Sequence, residues 1–570
     1  MIATAALSIT ARVAYRAEVA ASPLSVQHRW AESDMAYFDD WGRLVASGDL
    51  LSRSLRPPGH AWHRAVALDY LGRHPEDPAR ATADPVASLW ERWIGGGRLY
   101  QEPLYAYLIA LVRPWGGVAA VLVVQLALGL ASTLAILWLT RRLFGDLAAG
   151  IAGLLAALCA PLLYLEMVLV RETAIVFASL GLVALADAAI RRGGAWRRLA
   201  LGLATGVAIL LKSHFALFAA GAVTLVALRE RARPREAFRA VATVALGLAL
   251  GLAPLVARNL VVGAPPLVTS SAGAVNFVLG NAAGPSADPT VRRARHVADI
   301  LEKTRGAFLP TVVETLRTHD DAAGYLRLLR AKWRATWGWY EEPDNTNFYY
   351  YRLHARVLGW MPVSFLVVAP LALAGIAVAL PRARACLPLL LMAAASLAVP
   401  LLAFPVDRFR APFLALLIPF AAFALARACA WAGDGRWARL AALVAGVALV
   451  AAWVGQPRGA KPLIRPVDYR VPHETWYGPL ADEAEARADY ERAASVLASS
   501  LPFEPPEVGD MARGRGARDP LEAESARFFG GVRRRLAGLL ERSGRADEAR
   551  LQATAADALD RAAEGWGGAP

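Results

Sequence analysis

Glu32-Ser-Asp-Met-Ala-Tyr-Phe-Asp-Asp-Trp-Gly-Arg-Leu-Val-Ala-Ser-Gly-Asp49 follows the first apolar run of the chain and reads as a short, capped helix. Ser33 is a good N-cap, and Gly48 supplies the left-handed position on which helices end. Asp34, Tyr37 and Trp41 fall at i, i+3 and i+7, which puts one carboxylate and two rings on one face. In a first helical turn the free N–H groups and the backbone dipole favour the ionised carboxylate, and an ionised carboxylate can act as a general base. On spacing alone the plainer reading, a charge decorating a helix start, is the stronger one. The rest of the chain has to decide. Asp39 and Asp40 read as solvent-facing charges.

That rest is a polytopic, all-α membrane protein. The 570 residues are 56% hydrophobic and 19% charged, and the mean hydropathy is +0.36, too apolar for a soluble chain of this size. The net charge of +14 is no nucleic-acid signature, because the arginines cluster in short loops between apolar runs. Such runs occur around 1–17, 117–140, 147–166, 170–190, 198–212, 213–229, 238–257, 360–380, 385–404, 409–430 and 437–456, so about 11 transmembrane helices are expected. Met1 to Tyr15 lacks the basic start of a signal peptide and reads as the first membrane helix. Cys159, Cys386 and Cys429 offer neither a disulfide framework nor a metal motif.

Arg141-Arg142, Arg191 to Arg198, Arg229 to Arg235, Arg382 with Arg384, and Arg427 to Arg439 fall on one side if the N-terminus is cytoplasmic. The loops 18–116 and 258–356 then lie outside, in a multi-pass protein of the cell (inner) membrane, as does everything after 457. Residues 1–456 form the membrane domain in this reading. The remaining 457–570 is a small, soluble, helical domain whose Asp489-Tyr-Glu-Arg-Ala-Ala494 and Gly544-Arg-Ala-Asp-Glu-Ala549 are similar to parts of a tetratricopeptide unit. Tyr490 and Ala546 are 56 positions apart rather than one repeat length, so one or two helical hairpins are expected. They would serve either as a cap or as the docking module of a protein partner.

There is no Walker loop, GxSxG, HExxH or dinucleotide fingerprint. His60, His63 and His74 lack a carboxylate at a fitting offset and have arginine neighbours, which argues against a metal cluster. What stands out is cationic and amide-bearing residues at the outer ends of helices: Arg171, Lys212, His214, Arg258, Asn259, Arg408 and Arg410. Snorkelling explains any one of them. The positive-inside rule, however, puts such charges on the other face, so the set suits a phosphate at headgroup depth.

In order along the chain, several segments now carry a resemblance. Asp34-Met-Ala-Tyr37 with Ala46-Ser-Gly-Asp49 is similar to a D-x-x-Y…A-x-G-D pattern after a first span. Gln101-Glu-Pro-Leu-Tyr105 stands where P-P-L-Y is usual, with Glu102 replacing the first proline. Tyr164 to Thr173 matches a short outer loop with an acidic residue, here Glu172 with Glu166 in reserve. Lys212-Ser-His214 stands at a T-R-P. Pro254-x-x-x-Arg258-Asn259, Gly263, Asn276 and Gly280-Asn281 follow a P-W-x-x-R-N…G…N-x-x-x-G-N run, and Asp407-Arg-Phe-Arg-Ala-Pro412 is similar to R-Y-R-x-P. The set resembles the GT-C membrane glycosyltransferases, in the branch of protein mannosyltransferases and the aminoarabinose transferase of lipid A.

The resemblance implies a GT-C fold and an inverting hexosyltransferase-type enzyme. It would move a sugar from a polyprenyl-phosphate donor to a hydroxyl of a lipid, glycan or protein acceptor. Asp34, with Glu172, would be catalytic. Lys212, Arg258, Arg408 and Arg410 would hold the donor phosphate. Tyr37, Trp41, Glu102, Tyr105, His214, Asn259, Asn276 and Asn281, with the Trp337–Tyr351 segment, would line the cleft. Branches of the family differ in divalent-cation use; without a clear acidic pair metal independence is the favoured expectation, and a divalent cation the alternative. Rival readings are a transporter or flippase of lipid-linked saccharides, against which stand the missing inverted repeat and unpaired acidic positions, and an inactive membrane scaffold.

Overall fold

The computed structural model describes residues 2–55, 60–284, 288, 294–457, 463–564 and 566. Among them every regular element is a helix, and the only extended pairing is an isolated bridge between Cys159 and Val363. Each of the eleven apolar runs is largely helical. Among the described residues six helices are long and apolar enough to cross a membrane: Gly117–Phe144, Glu172–Arg192, Pro234–Val262, Phe365–Leu402, Asp407–Gly433 and Trp437–Val454. Phe365–Leu402 holds two of the runs and tightens into a 3-10 turn at Leu380–Arg382. Asp146–Ala157 and Phe215–Arg229 are apolar but shorter. The chain is a multi-pass membrane protein.

Two compact units form: Met1–Ala14, Ala31–Asn345 and Gly359–Arg458 in one, and Tyr15–Trp30, Thr346–Leu358 and Gly459–Pro570 in the other. The first is built around Asp407–Gly433, whose most apolar window is 72% buried, against 6% for the peripheral Trp437–Val454. Ala195–Ile209 and Pro234–Val262 pack closely, because glycines let their two backbones touch. A Cβ on Gly202 would lie 2.0 Å from the carbonyl oxygen of Val244, and one on Gly247 would lie 2.2 Å from that of Leu199. Small residues are what helices need to approach this closely in lipid. Gly247→Val is therefore expected to lower the apparent melting temperature of the detergent-purified protein, with a loss of at least about 1–3 kcal/mol from overpacking. Gly181→Ala, with no neighbour within 4 Å, is the control and should be neutral.

Within the second unit, Gly478–Ala486 pairs with Tyr490–Ala498, and Pro520–Arg542 with Ala546–Ala563. Tyr477, Ala481, Leu497, Leu536 and Leu540 share one apolar cluster. Arg535 bridges the pairs through Glu485 and Asp482. The Pro/Gly/Arg-rich stretch at 502–519 is not all loop, since Pro506–Ala512 is helical. From earlier in the chain, Asn347 donates to Asp468 at 2.7 Å.

Candidate active site

Ser33 caps the helix Asp34–Ala46 as its type and position require, accepting from the Ala36 amide at 3.1 Å. Gly48 follows with φ +110°. The apolar side of this helix is core. Trp41 is fully buried with its indole donating to Ser52 Oγ at 2.8 Å, Phe38 meets Tyr105 edge-on at 5.1 Å, and Tyr37 is buried among Phe38, Trp41 and Tyr100. Tyr37, Trp41 and Tyr105, expected in a cleft, hold the helix in place instead. Asp39 is likewise no solvent-facing charge: it is buried and ion-paired with Arg113. Asp40 is exposed as expected.

With that face fixed, Asp34 opens into a polar chamber of about 50 Å³. Arg171, Lys212, Asn276, Asn345 and Arg408 line it, with His60 and Trp62 from the loop 18–116. Arg408 donates to Asp34 Oδ2 at 2.6 Å and reaches Asp344 at 2.5 Å. Asn345 accepts from the Asp34 amide at 2.8 Å and donates back to its carboxylate at 3.2 Å. Burial opposes the ionised form of Asp34, but Arg408, with His60 and Arg171, outweighs it and holds the carboxyl well below the usual carboxylate range. Across the chamber Arg171 binds Glu102 at 2.5 Å and Gln101 at 2.8 Å. Burial works against the ionised Glu102 too, yet Arg171, Lys212 and Ser213 bring it down to about 2.

Lys212 differs from these. It lies in the turn between Ala195–Ile209 and Phe215–Arg229, and its ammonium stands 4.5 Å from the Phe409 ring centre. Its backbone is bonded to Ala208 and Phe215, but among the described residues its ammonium makes no hydrogen bond or ion pair. Burial, with Arg171 adding to it, pushes its pKa down to about 8. Beyond Lys212 begins a second cavity of about 300 Å³, which shares Gln101, Arg171, Lys212, Asn276 and Phe409 with the chamber. Its further walls are mostly apolar: Leu217, Phe277, Phe308, Val399 and Leu402. His214 and Glu102 also face it, and burial, helped by Lys212, pushes the His214 imidazole down to about 3.

Four other expected residues are not brought to this place. Arg258 donates to the carbonyls of Leu51, at 2.9 Å, and Gly97, stitching two parts of the loop 18–116 together. Asn259 binds the carbonyls of Pro265, Pro266 and Val268, closing the turn after its helix. Asn281 accepts from Lys332 at 2.8 Å and donates to the Leu402 carbonyl. Arg410 binds the carbonyls of Thr336, Gly338 and Tyr340 and the Glu341 carboxylate. These donors are spent on backbone oxygens, so Arg410 positions the segment that delivers Asp344 and Asn345. Glu172 is adjacent to Arg171 but lines a different cavity. Of the Trp337–Tyr351 segment, Trp337 packs among Phe365, Phe413 and Trp453, and the polar residues Asp344 and Asn345 reach Asp34 and Arg408.

Gln101, quoted in a motif, His60, weighed only as a metal ligand, and Asp344 and Asn345, expected only as part of the Trp337–Tyr351 segment, are site residues to which the sequence reading gave no individual role. Asn345 lies 311 positions from Asp34, in a turn between helices, where no periodicity marks a side chain's direction. Among the described residues no three His, Cys, Asp or Glu side chains gather to hold a metal ion, and Asp344 beside Asp34 is engaged by Arg408.

No protein-family model matches the chain, and no curated protein matches it in sequence. Among solved structures it is similar to the Archaeoglobus fulgidus oligosaccharyltransferase tethered by a disulfide to an acceptor peptide containing the NVT sequon. That match has 16% identity over 67% of this chain and 48% of the other, with TM-score 0.34. The apo form of that enzyme matches at 14% identity over 74% and 54%, with TM-score 0.35. ArnT from Cupriavidus metallidurans bound to undecaprenyl phosphate matches at 17% identity over 83% and 69%, with TM-score 0.32. The chain spans about half the length of the oligosaccharyltransferase chains it matches.

Proposed function

We propose that the chain is an inverting glycosyltransferase of the GT-C kind. It takes a sugar from a polyprenyl-phosphate carrier and places it on an acceptor hydroxyl, at the extracytoplasmic face of the cell (inner) membrane. The observation that carries this reading is Lys212, a cation with uncommitted donors at the seam between a polar chamber and an apolar groove. A lipid phosphate is the ligand with chemistry for both sides. Its chain suits the groove walled by Leu217, Phe277, Phe308 and Leu402, and its phosphate suits Lys212 and Arg171, with Arg408 within the same chamber. Arginine offers forked donors and lysine a point charge for such a group.

The sugar then occupies the chamber beside Asp34, Trp62 and Asn345. Asp34 takes the acceptor's hydroxyl proton as the oxygen attacks the anomeric carbon. The bond from that carbon to the phosphate oxygen breaks, and the electron pair leaves with the phosphate, where the cations stabilise it. Asp34 paired with Arg408 is a weak base. An arriving phosphate competes for Arg408 and so restores basicity when the donor is bound.

The test is binding of undecaprenyl phosphate to the purified protein across pH. Lys212 is charged below about 8 and neutral above it, so affinity should fall as pH rises through that value. Lys212→Arg should move the fall upward by two units or more, and Lys212→Met should weaken binding at every pH and flatten the profile. Equal affinity for Lys212→Met and wild type would overturn the assignment.

A further inference from the structure

Behind the polar chamber, across the first turn of Glu172–Arg192, lies a separate small cavity of about 20 Å³, partly walled by the apolar helix Gly117–Phe144. Arg12, Thr133, Glu166, Glu172 and Thr173 line it, and Ala411, three positions on from Arg408, forms part of its wall. Arg12 binds Glu166 Oε1 at 2.6 Å and lies 3.4 Å from Thr133 Oγ1. The remaining oxygens are unmatched. Glu166 Oε2, both oxygens of Glu172 and Thr173 Oγ1 are buried and have no hydrogen-bond partner. Glu166 is 2% exposed, Glu172 1% and Thr173 5%. Leaving a carboxylate so placed without a partner is costly in a low-dielectric setting.

We infer that this cavity is a monovalent cation site, with Glu172, Glu166 and Thr173 as oxygen ligands. Arg12 cancels one of the two carboxylate charges, which leaves a local charge of minus one. A sodium-sized ion neutralises it, whereas a divalent ion would leave an excess positive charge at the same place. Lys212 and Arg408 interact electrostatically with Glu172 from the chamber side, but neither bonds to it, and Arg408 is held by Asp34 and Asp344. A proton on Glu172 would satisfy one oxygen and leave the others without donors. A hard cation takes several oxygen ligands at once. An ion here would tie Glu166, the C-cap of the helix Ala160–Leu165, to the helix start that carries Arg171 into the chamber.

The experiment uses the full chain purified in detergent, with radioactive sodium as the probe and potassium, lithium and choline as competitors. Saturable binding of one sodium per chain is expected, displaced by lithium more readily than by choline, together with a higher melting temperature in sodium chloride than in choline chloride at equal ionic strength. Glu172→Gln should abolish the binding and the salt-specific stabilisation, and Thr173→Val should weaken binding several-fold. Either of two results overturns the site: no saturable binding to folded wild-type protein, or unchanged binding in Glu172→Gln. Stabilisation that follows pH and ignores the identity of the cation would mean a proton only, and would overturn it as well.

Discussion

Asp34→Asn is expected to lower the rate of sugar transfer by about 10²–10⁴-fold, the usual contribution of a positioned base, while leaving donor binding intact or stronger. The amide keeps the shape that Asn345 holds at 2.8 Å through the Asp34 backbone, and it removes one of the two carboxylates that compete with the phosphate for Arg408. A plain helix-start charge behaves differently: its loss would cost a few tenths of a kcal/mol to about 1 kcal/mol of stability and leave turnover unchanged. Measuring turnover and donor affinity in the same preparation separates the two. Asp34→Glu should recover little, because the chamber fixes the carboxylate against both Asn345 and Arg408.

The second large effect concerns stability. Arg408 is the cation shared by Asp34 and Asp344, both buried. Arg408→Met should destabilise the membrane unit by about 3–5 kcal/mol, because removing one partner of a buried ion pair strands the other charge. Here two charges lose the same partner. Adding Asp34→Asn to Arg408→Met should recover part of the loss, since one of the stranded carboxylates is then gone. Arg408→Lys should be intermediate, keeping the charge but not the fork that serves two carboxylates. Thermal unfolding of the detergent-purified variants reads all three. A melting temperature for Arg408→Met equal to that of the wild type would contradict the account of this pair.

Much of the fold was legible because it rests on local rules. Ser33 and Gly48 bound a helix that the structure places at Asp34–Ala46, and apolar runs become helices wherever lipid leaves the backbone no other partner. Asp34, Lys212 and Arg408 were legible as a cationic set opposite a carboxylate. Arg258, Asn259, Asn281 and Arg410 look the same in sequence, yet they bind carbonyls of Leu51, Pro266, Leu402 and Gly338. A guanidinium serving a substrate and one serving the backbone differ only in three dimensions. Tyr37 and Trp41 share a face with Asp34 at helical spacing, but that spacing does not say whether the face meets a cleft or another helix. Asp344 and Asn345 were legible only as members of the Trp337–Tyr351 segment: they occupy an irregular turn, and which of its side chains meet Asp34 and Arg408 is decided by tertiary contact. Adjacent residues can also part company, as Arg171 and Glu172 do at the start of one helix, facing two different cavities.

Mass spectrometry of envelope glycans and glycoproteins tests sugar transfer most directly. Cells producing wild-type protein are compared with cells producing equal membrane levels of Asp34→Asn. The account predicts a species heavier by one sugar residue in the wild type and only its unmodified acceptor in the variant. Identical spectra from the two would contradict it.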